Sequence, residues 1–354
     1  MARKVLMKNN EIIAETAIRY GIRYYFGYPI TPQNEITEYM AKRLPEVGGV
    51  FFQPESELAG INMAAGCSGA GKLPMLSTSG PGFSLMQEGL SFMSAAELPC
   101  IIVDVMRAGP GDGDIAGAQG DYHQVVKCGG HGDYHVIAIA PSSGESIVHD
   151  VKRSIELASR YRTPVIMLLD GLLAQMSEPV TLPQPKDITQ YEKNWILTGA
   201  KGRERRIITS YTANTDEAEA LNMRLQRKYR QIQAREQRWQ EFETKDAEVI
   251  LVAFGIVGRI AISAVKKARR DGLKVGLILP STLWPVSEKA FRSLPSGLRS
   301  LLVIEENAGQ MVDDISLAVN GAVSVERLTK LGGRVPSESE ILKLVKKLHN
   351  RSKD

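Results

Sequence analysis

The chain has 354 residues, more than one compact core needs, so two domains joined by a linker are expected. Hydrophobic residues make up 43% and charged residues 24%, which excludes a disordered or fibrous chain. Lys and Arg number 44 against 40 Asp and Glu, and a net charge of +4 gives no reason to expect nucleic acid or an anionic membrane as partner.

In chain order, Arg23–Tyr28 reads as a strand, Gln33–Leu44 as a helix, Gly49–Gln53 as a short strand and Leu58–Ala70 as a helix rich in Ala and Gly. Leu73–Thr78 is a strand and Phe83–Ala96 a helix. Cys100–Met106, Val136–Ala140 and Val165–Leu169 are strands of continuous apolar character, the last two separated by a helix over Ile147–Arg160. Such runs joined by helices suit a parallel sheet covered on both faces.

The texture changes at Thr181. Proline punctuation (Leu182-Pro183-Gln184-Pro185) and a charge cluster at Lys201–Arg206 lead to one long helix expected over Asp216–Phe242. On it Leu221, Leu225, Tyr229, Ile232, Trp239 and Phe242 would share one side, the pattern of a linker helix with one packed stripe. A second α/β block follows. Its strands are Val249–Phe254, Lys274–Leu279, Ser300–Glu305 and Val323–Leu328, its helices Arg259–Arg269 and Val312–Val319, and it ends in a basic helical tail closed by Asp354.

The three cysteines, Cys67, Cys100 and Cys128, are odd in number and form no CxxC pair, which argues against a disulfide framework and against a metal cluster built by this chain alone. No apolar stretch of signal-peptide length opens the sequence, and the most apolar run, Pro164–Met176, is interrupted by Asp170. A cytoplasmic enzyme is the expectation.

Four segments could carry chemistry. Tyr28-Pro29-Ile30-Thr31-Pro32 lies at the end of the first strand, where open α/β sheets bind ligands. Thr31 could offer its hydroxyl to an anion or serve as an N-cap with Pro32 in the first turn. Glu57 opens a helix whose next nine residues carry no charge. An acid there is ordinary helix chemistry, but partial desolvation would also raise its pKa and suit it to proton traffic. The Gly-rich turn Ser79-Gly80-Pro81-Gly82 lacks the Lys of a P-loop and does not match GxGxxG. Arg107 ends a strand beside a Gly-rich loop, the position of a carboxylate clamp or of a plain ion pair. His123, His131 and His135 lie close in sequence without an HExxH pattern, so no metal ligand is assigned.

Together these segments resemble the alpha subunit of the 2-oxoacid:ferredoxin oxidoreductases, with the match closest to the 2-ketoisovalerate (3-methyl-2-oxobutanoate) type. The resemblance rests on FGYPITPQNEI at 26–36, QPESELAGINMAAG at 53–66, TSGPGFSLMQEG at 78–89, VMRAGPGDGD at 105–114, AQGDYHQ at 118–124, HGDYHVIAIAPSS at 131–143 and ENAGQM at 306–311. It implies two doubly wound parallel-sheet α/β domains: a thiamine-diphosphate pyrimidine-binding domain over 1–180 and a transketolase C-terminal-like domain over 247–354, joined by the polar helical linker at 181–246. It implies oxidative decarboxylation of a 2-oxoacid, branched-chain favoured, with coenzyme A to acyl-CoA, CO2 and reduced ferredoxin. Pyruvate- or 2-oxoglutarate-specific members, a non-redox thiamine enzyme and a non-catalytic subunit are the alternatives.

By the same resemblance Glu57 matches the catalytic glutamate that hydrogen-bonds the aminopyrimidine of thiamine diphosphate, with Pro29 beside the cofactor. Tyr28, Thr31 and Arg107 match substrate-binding positions. The Mg²⁺–diphosphate motif, GDG followed downstream by Asn, is incomplete. Gly111-Asp112-Gly113 has the first part, but no Asn occurs over 138–145. Thiamine diphosphate is therefore expected at a subunit interface. A beta subunit would supply the diphosphate grip and Mg²⁺, and 4Fe-4S clusters would lie on partner chains, among them gamma and ferredoxin-like delta subunits. Asp112 and Asp114 place negative charge beside Arg107, which argues against a dicarboxylate substrate.

Overall fold

Every residue of Cys100–Ala108 and of Pro164–Asp170 is buried, and the two run parallel in register from Cys100 opposite Pro164 to Met106 opposite Asp170. Strands so uniformly apolar require cover on both faces. The computed structural model describes residues 4–189 and 194–350. Within the first part lie β1 (Val5–Lys8), α1 (Asn9–Arg19), β2 (Tyr24–Phe26), α2 (Asn34–Glu46), β3 (Val50–Phe52), α3 (Glu57–Gly69), β4 (Pro74–Thr78), α4 (Gly80–Leu85), α5 (Gln87–Ala95) and β5 (Cys100–Ala108). Then come β6 (Asp114–Gly117), β7 (Ile137–Ile139), α6 (Gly144–Tyr161), β8 (Pro164–Asp170), α7 (Gly171–Gln175) and β9 (Ser177–Val180). The second part holds α8 (Thr215–Arg235), β10 (Trp239–Phe242), β11 (Val249–Val252), α9 (Gly255–Arg270), β12 (Val275–Pro280), β13 (Thr282–Trp284), β14 (Ser300–Glu305), α10 (Met311–Val319), β15 (Ser324–Thr329) and α11 (Glu338–Asn350).

The larger sheet runs β13-β7-β8-β5-β4-β2-β3, parallel from β7 to β3, with β13 antiparallel at one edge and β6 folded back on β5. The smaller runs β10-β12-β11-β14-β15, parallel except for β10. The fold is thus two mainly parallel α/β sheets with covering helices, as expected. β1 and β9 form a separate antiparallel ribbon. The amphipathic α6 buries Ile147, Val151, Ile155 and Ala158 at helical spacing, and its N-terminus is capped by Ser143 and Ser146 bonding each other's backbone amides.

The two sheets meet at Gln119. Its amide donates to the Glu306 carbonyl (3.0 Å), its Nε2 donates to the Phe254 carbonyl (3.1 Å), and its Oε1 accepts from the Glu306 amide (3.1 Å). Asn307 Nδ2 donates to the Gln119 carbonyl (2.8 Å), and β13 carries the chain from the smaller sheet to the edge of the larger.

Three expectations are corrected. The long helix stops at Arg235, and Trp239–Phe242 pairs as β10 with Leu277–Pro280. The cause is Glu236, buried just past the helix end, whose carboxylate accepts from Tyr161 Oη at 2.8 Å and lies 3.4 Å from an Arg160 nitrogen. These partners turn the chain away from the helix axis, so helical spacing at 239 and 242 was coincidental. The second helix begins at Asn34, so Thr31 is not its N-cap and Pro32 is not in its first turn. The Pro32 carbonyl already accepts from Asn10 Nδ2 (2.9 Å) and Gln175 Nε2 (2.8 Å), which holds this turn in the loop. The single helix expected over Phe83–Ala96 is two, α4 and α5, meeting at Met86. Asp354 lies outside the described residues.

Candidate functional site

The C-terminal ends of β2, β3, β4 and β5 converge on one rim, where parallel sheets place their ligand sites. The loop after β2 carries Tyr28 and Pro29, both exposed, then Thr31. It is fixed from below by fully buried Gln33, whose Nε2 donates to the Tyr28 carbonyl (3.1 Å) and whose Oε1 accepts from Thr37 Oγ1 (3.0 Å) and from Ser77. Tyr25 closes this chain by bonding both Thr37 and Ser77, and its burial pushes the phenol up to about 12. Gln33 is marked in the sequence only as a polar residue directly after the Tyr28–Pro32 loop, and folding alone shows it buried beneath that loop.

Glu57 is the first residue of α3, beyond β3, and Ser56 caps that helix by accepting from the Ala59 amide (3.3 Å). The Glu57 side chain is only 4% exposed, and its Oε1 has no hydrogen-bond partner among the described residues. Burial pushes the carboxyl above its usual range, opposed by its own backbone amide, by the Thr78 hydroxyl that stands beside it without a well-formed bond, and by the charge of Arg107. Gly82 makes room for it. A Cβ there would overlap both Glu57 Oε1 and Thr78 Oγ1, so the Gly-rich turn acts through close approach to an acid rather than by cradling a phosphate.

Arg107 lies near the end of β5, 8% exposed. One terminal nitrogen donates to the Thr31 carbonyl (3.2 Å); the other donates to the Asp112 carbonyl (2.8 Å) and to Asp112 Oδ1 (2.6 Å). The structure thus brings Thr31 and Arg107 together, through the Thr31 main chain. The Thr31 hydroxyl accepts only a long bond from Asn34 Nδ2 (3.3 Å). Asp112, the acid of the GDG look-alike, is an exposed partner of Arg107. A cleft of about 410 Å³ opens beside them, lined by Gly80, Pro81, Arg107, Ala108, Pro110 and Asp121.

Around this rim several buried polar atoms lack partners among the described residues: Glu57 Oε1, Thr78 Oγ1, Ser79 Oγ, Arg107 Nε and Asp121 Oδ2. Polar groups buried without partners are costly, so such a cluster fits a polar ligand rather than a closed core. The donor set suits a heteroaromatic ring with a nitrogen for Glu57 to bond, and a carboxylate for Arg107. It offers no dense cationic grip for a diphosphate. Among the described residues no group of three or more His, Cys, Asp or Glu is placed to hold a metal ion. His123 bonds the Gln310 carbonyl and His135 stacks on Trp284, so the two are held in separate contacts. No helix among the described residues is long and apolar enough to cross a membrane.

Comparison with known proteins gives a consistent result. Residues 15–250 match the family described as pyruvate flavodoxin/ferredoxin oxidoreductase, thiamine diP-bdg, and residues 247–341 match pyruvate:ferredoxin oxidoreductase core domain II. The ketoisovalerate oxidoreductase subunit VorB of Methanothermobacter marburgensis is 42% identical over 99% of both chains. The 2-oxoglutarate synthase subunit KorA of the same organism is 34% identical over 97% of this chain and 98% of its own. Among solved structures, the 2-oxoglutarate:ferredoxin oxidoreductase from Magnetococcus marinus, with 2-oxoglutarate, coenzyme A and succinyl-CoA bound, superposes with a TM-score of 0.89 at 26% identity. That alignment covers 98% of this chain and 65% of the other, so the chain spans just under two thirds of that relative. A split-gene transketolase superposes with a TM-score of 0.62 at 14% identity, a likeness of fold alone.

Proposed function

We propose a defined role for this chain, which belongs to the 2-oxoacid:ferredoxin oxidoreductase family: it is the alpha subunit of a thiamine-diphosphate enzyme that oxidatively decarboxylates a branched-chain 2-oxoacid. With coenzyme A the products are an acyl-CoA, CO2 and two electrons passed to ferredoxin. The observation that carries this reading is the Glu57 oxygen, buried without a partner at the rim where Arg107 also ends.

Bound thiamine diphosphate supplies the carbon nucleophile and electron sink that decarboxylation of a 2-oxoacid requires. Glu57 would hold a ring nitrogen of its pyrimidine, where the raised affinity of this carboxyl for a proton would let it keep or yield one. Pro29 would border the same ring, while Gly82 keeps the Glu57 carboxyl free of side-chain obstruction. Arg107 takes the substrate carboxylate, held in place by the Thr31 and Asp112 carbonyls. Tyr28 and Thr31, on the loop after β2 that Arg107 bonds through the Thr31 carbonyl, would border the substrate from that side. Asp112 already offsets the charge of Arg107, so the cleft holds no spare cation for a second carboxylate, which favours a branched-chain substrate over 2-oxoglutarate.

The rim supplies few cations, so the diphosphate and its Mg²⁺ belong to a beta subunit and the cofactor sits between chains. Iron–sulfur clusters on gamma and delta subunits carry electrons onward. The test is co-purification with the partner subunits, then a panel of 3-methyl-2-oxobutanoate, pyruvate and 2-oxoglutarate with coenzyme A and a viologen dye. Highest kcat/KM for the branched acid is expected. No dye reduction with any 2-oxoacid would refute the reading, and a strong preference for 2-oxoglutarate would overturn the substrate assignment.

A further inference from the structure

We propose that Asp104 and Asp121 form a carboxyl pair sharing one proton, and that this pair sets the charge a substrate carboxylate meets at Arg107. The proposal rests on the reading of Arg107 given above. Asp104 is fully buried in the middle of β5, flanked by the apolar runs 100–103 and 105–106, and neither of its carboxyl oxygens makes a well-formed hydrogen bond among the described residues. Asp121 Oδ2 has none either. The two carboxyls lie within hydrogen-bond reach of each other. Two ionised carboxylates are acceptors only, so in a buried site they repel. A single proton between them supplies the missing donor and removes one charge.

Asp121 is also a wall of the cleft. A Cβ built at Gly80 would lie 3.7 Å from Arg107 Cγ and 3.9 Å from Asp121 Oδ2, so the acid and the arginine flank the same turn. Arg107 and the Gly80 amide face the pair; Asp112 and Glu57 bear on it through Arg107. Burial and the charge of Asp121 push Asp104 well above the usual carboxyl range. Burial also raises Asp121, to about 6, held back by its bond to Asp104, the Gly80 amide and Arg107. Below that pH the pair carries two protons and is neutral. Above it the pair carries one proton and one negative charge, which offsets Arg107 and weakens its hold on an anion. The carboxyl of a 2-oxoacid stays ionised throughout, because its pKa lies far lower. Asp121 is therefore a positioning residue whose effect falls on KM more than on kcat.

The test uses the assembled complex, with KM and kcat for 3-methyl-2-oxobutanoate measured from pH 5.5 to 8.5 in wild type, Asp121→Asn and Asp104→Asn. In wild type, KM should rise by about three- to tenfold as pH climbs through about 6. In Asp121→Asn the rise should vanish and KM stay at the low-pH value. A pH rise in Asp121→Asn equal to that of wild type, or a flat wild-type KM in a complex that turns over 2-oxoacids, overturns the proposal and leaves the functional reading intact. A wild-type complex that turns over no 2-oxoacid overturns the functional reading instead. The pair is then read in the full chain by infrared spectroscopy: a protonated-carboxyl band at pH 7 that is lost in Asp104→Asn and shifted in Asp121→Asn supports it, and a band unchanged in Asp104→Asn, or no such band, refutes it.

Discussion

Two buried acids stand at strand-to-helix connections of the two sheets, one closing a parallel strand and the other opening a helix. Glu305, at the end of β14, has its lone pairs taken by the chain itself: the amides of Gln310 (3.2 Å), Met311 (2.8 Å) and Val312 (3.1 Å) all donate to it at the start of α10. Glu57, at the start of α3, has one oxygen left without a donor among the described residues. Burial raises the pKa of both. The difference teaches that an acid at a helix mouth is a fastening when local amides use up its oxygens, and a site for an incoming group when they do not. By this criterion Glu305 fastens its own loop, while Glu57 is open to an incoming group.

Substitutions sharpen that contrast. The largest effect is expected from Glu57→Gln, which keeps the shape but removes the proton carrier: turnover of the assembled complex should fall by about 100-fold or more, read by dye reduction. Activity near wild type would leave the chain a structural role. Gly82→Ala, which drives a methyl group into the Glu57 carboxyl, should cost at least about tenfold in kcat with the fold retained by circular dichroism. Arg107→Lys removes the planar fork that reaches both Thr31 and Asp112, and should raise KM by about tenfold with a smaller change in kcat. At Glu305 the readout changes. Glu305→Gln should lower unfolding free energy by about 1–3 kcal/mol in denaturant titrations and leave kcat/KM near wild type.

The smallest effect concerns pH. With its folded-state pKa raised, Glu57 binds a proton more tightly in the folded chain. Its contribution to stability is full below the unfolded-state pKa and is lost as pH rises through the folded value. Glu57→Gln does not titrate, so its stability should improve relative to wild type as pH climbs from about 4 toward neutrality. A constant difference across that range would mean that the Glu57 carboxyl is not strained by burial.

Much of this was legible in the residues. The apolar runs at 100–106 and 165–169 announce central parallel strands, and Glu57 ahead of an uncharged helix announces a desolvated acid. Asp104 is legible in retrospect as an acid set within the apolar run 100–106, but its partner Asp121 is 17 positions on and only folding brings the two together. Tertiary contacts account for the misreadings. Trp239 and Phe242 fit a helical stripe until buried Glu236 turns the chain into β10. Thr31 fits an N-cap until Asn10 and Gln175 claim the next carbonyl. The ribbon of β1 and β9 escaped notice because its strands are short and Leu6 faces outward, 73% exposed.

The most direct measurement is the distance from Glu57 to the coenzyme in a density map of the assembled complex with thiamine diphosphate bound. A carboxyl oxygen within about 3 Å of a pyrimidine nitrogen, with the diphosphate held by the neighbouring chain, is the predicted result. A carboxyl turned away from the ring, or a diphosphate gripped by this chain alone, would contradict it.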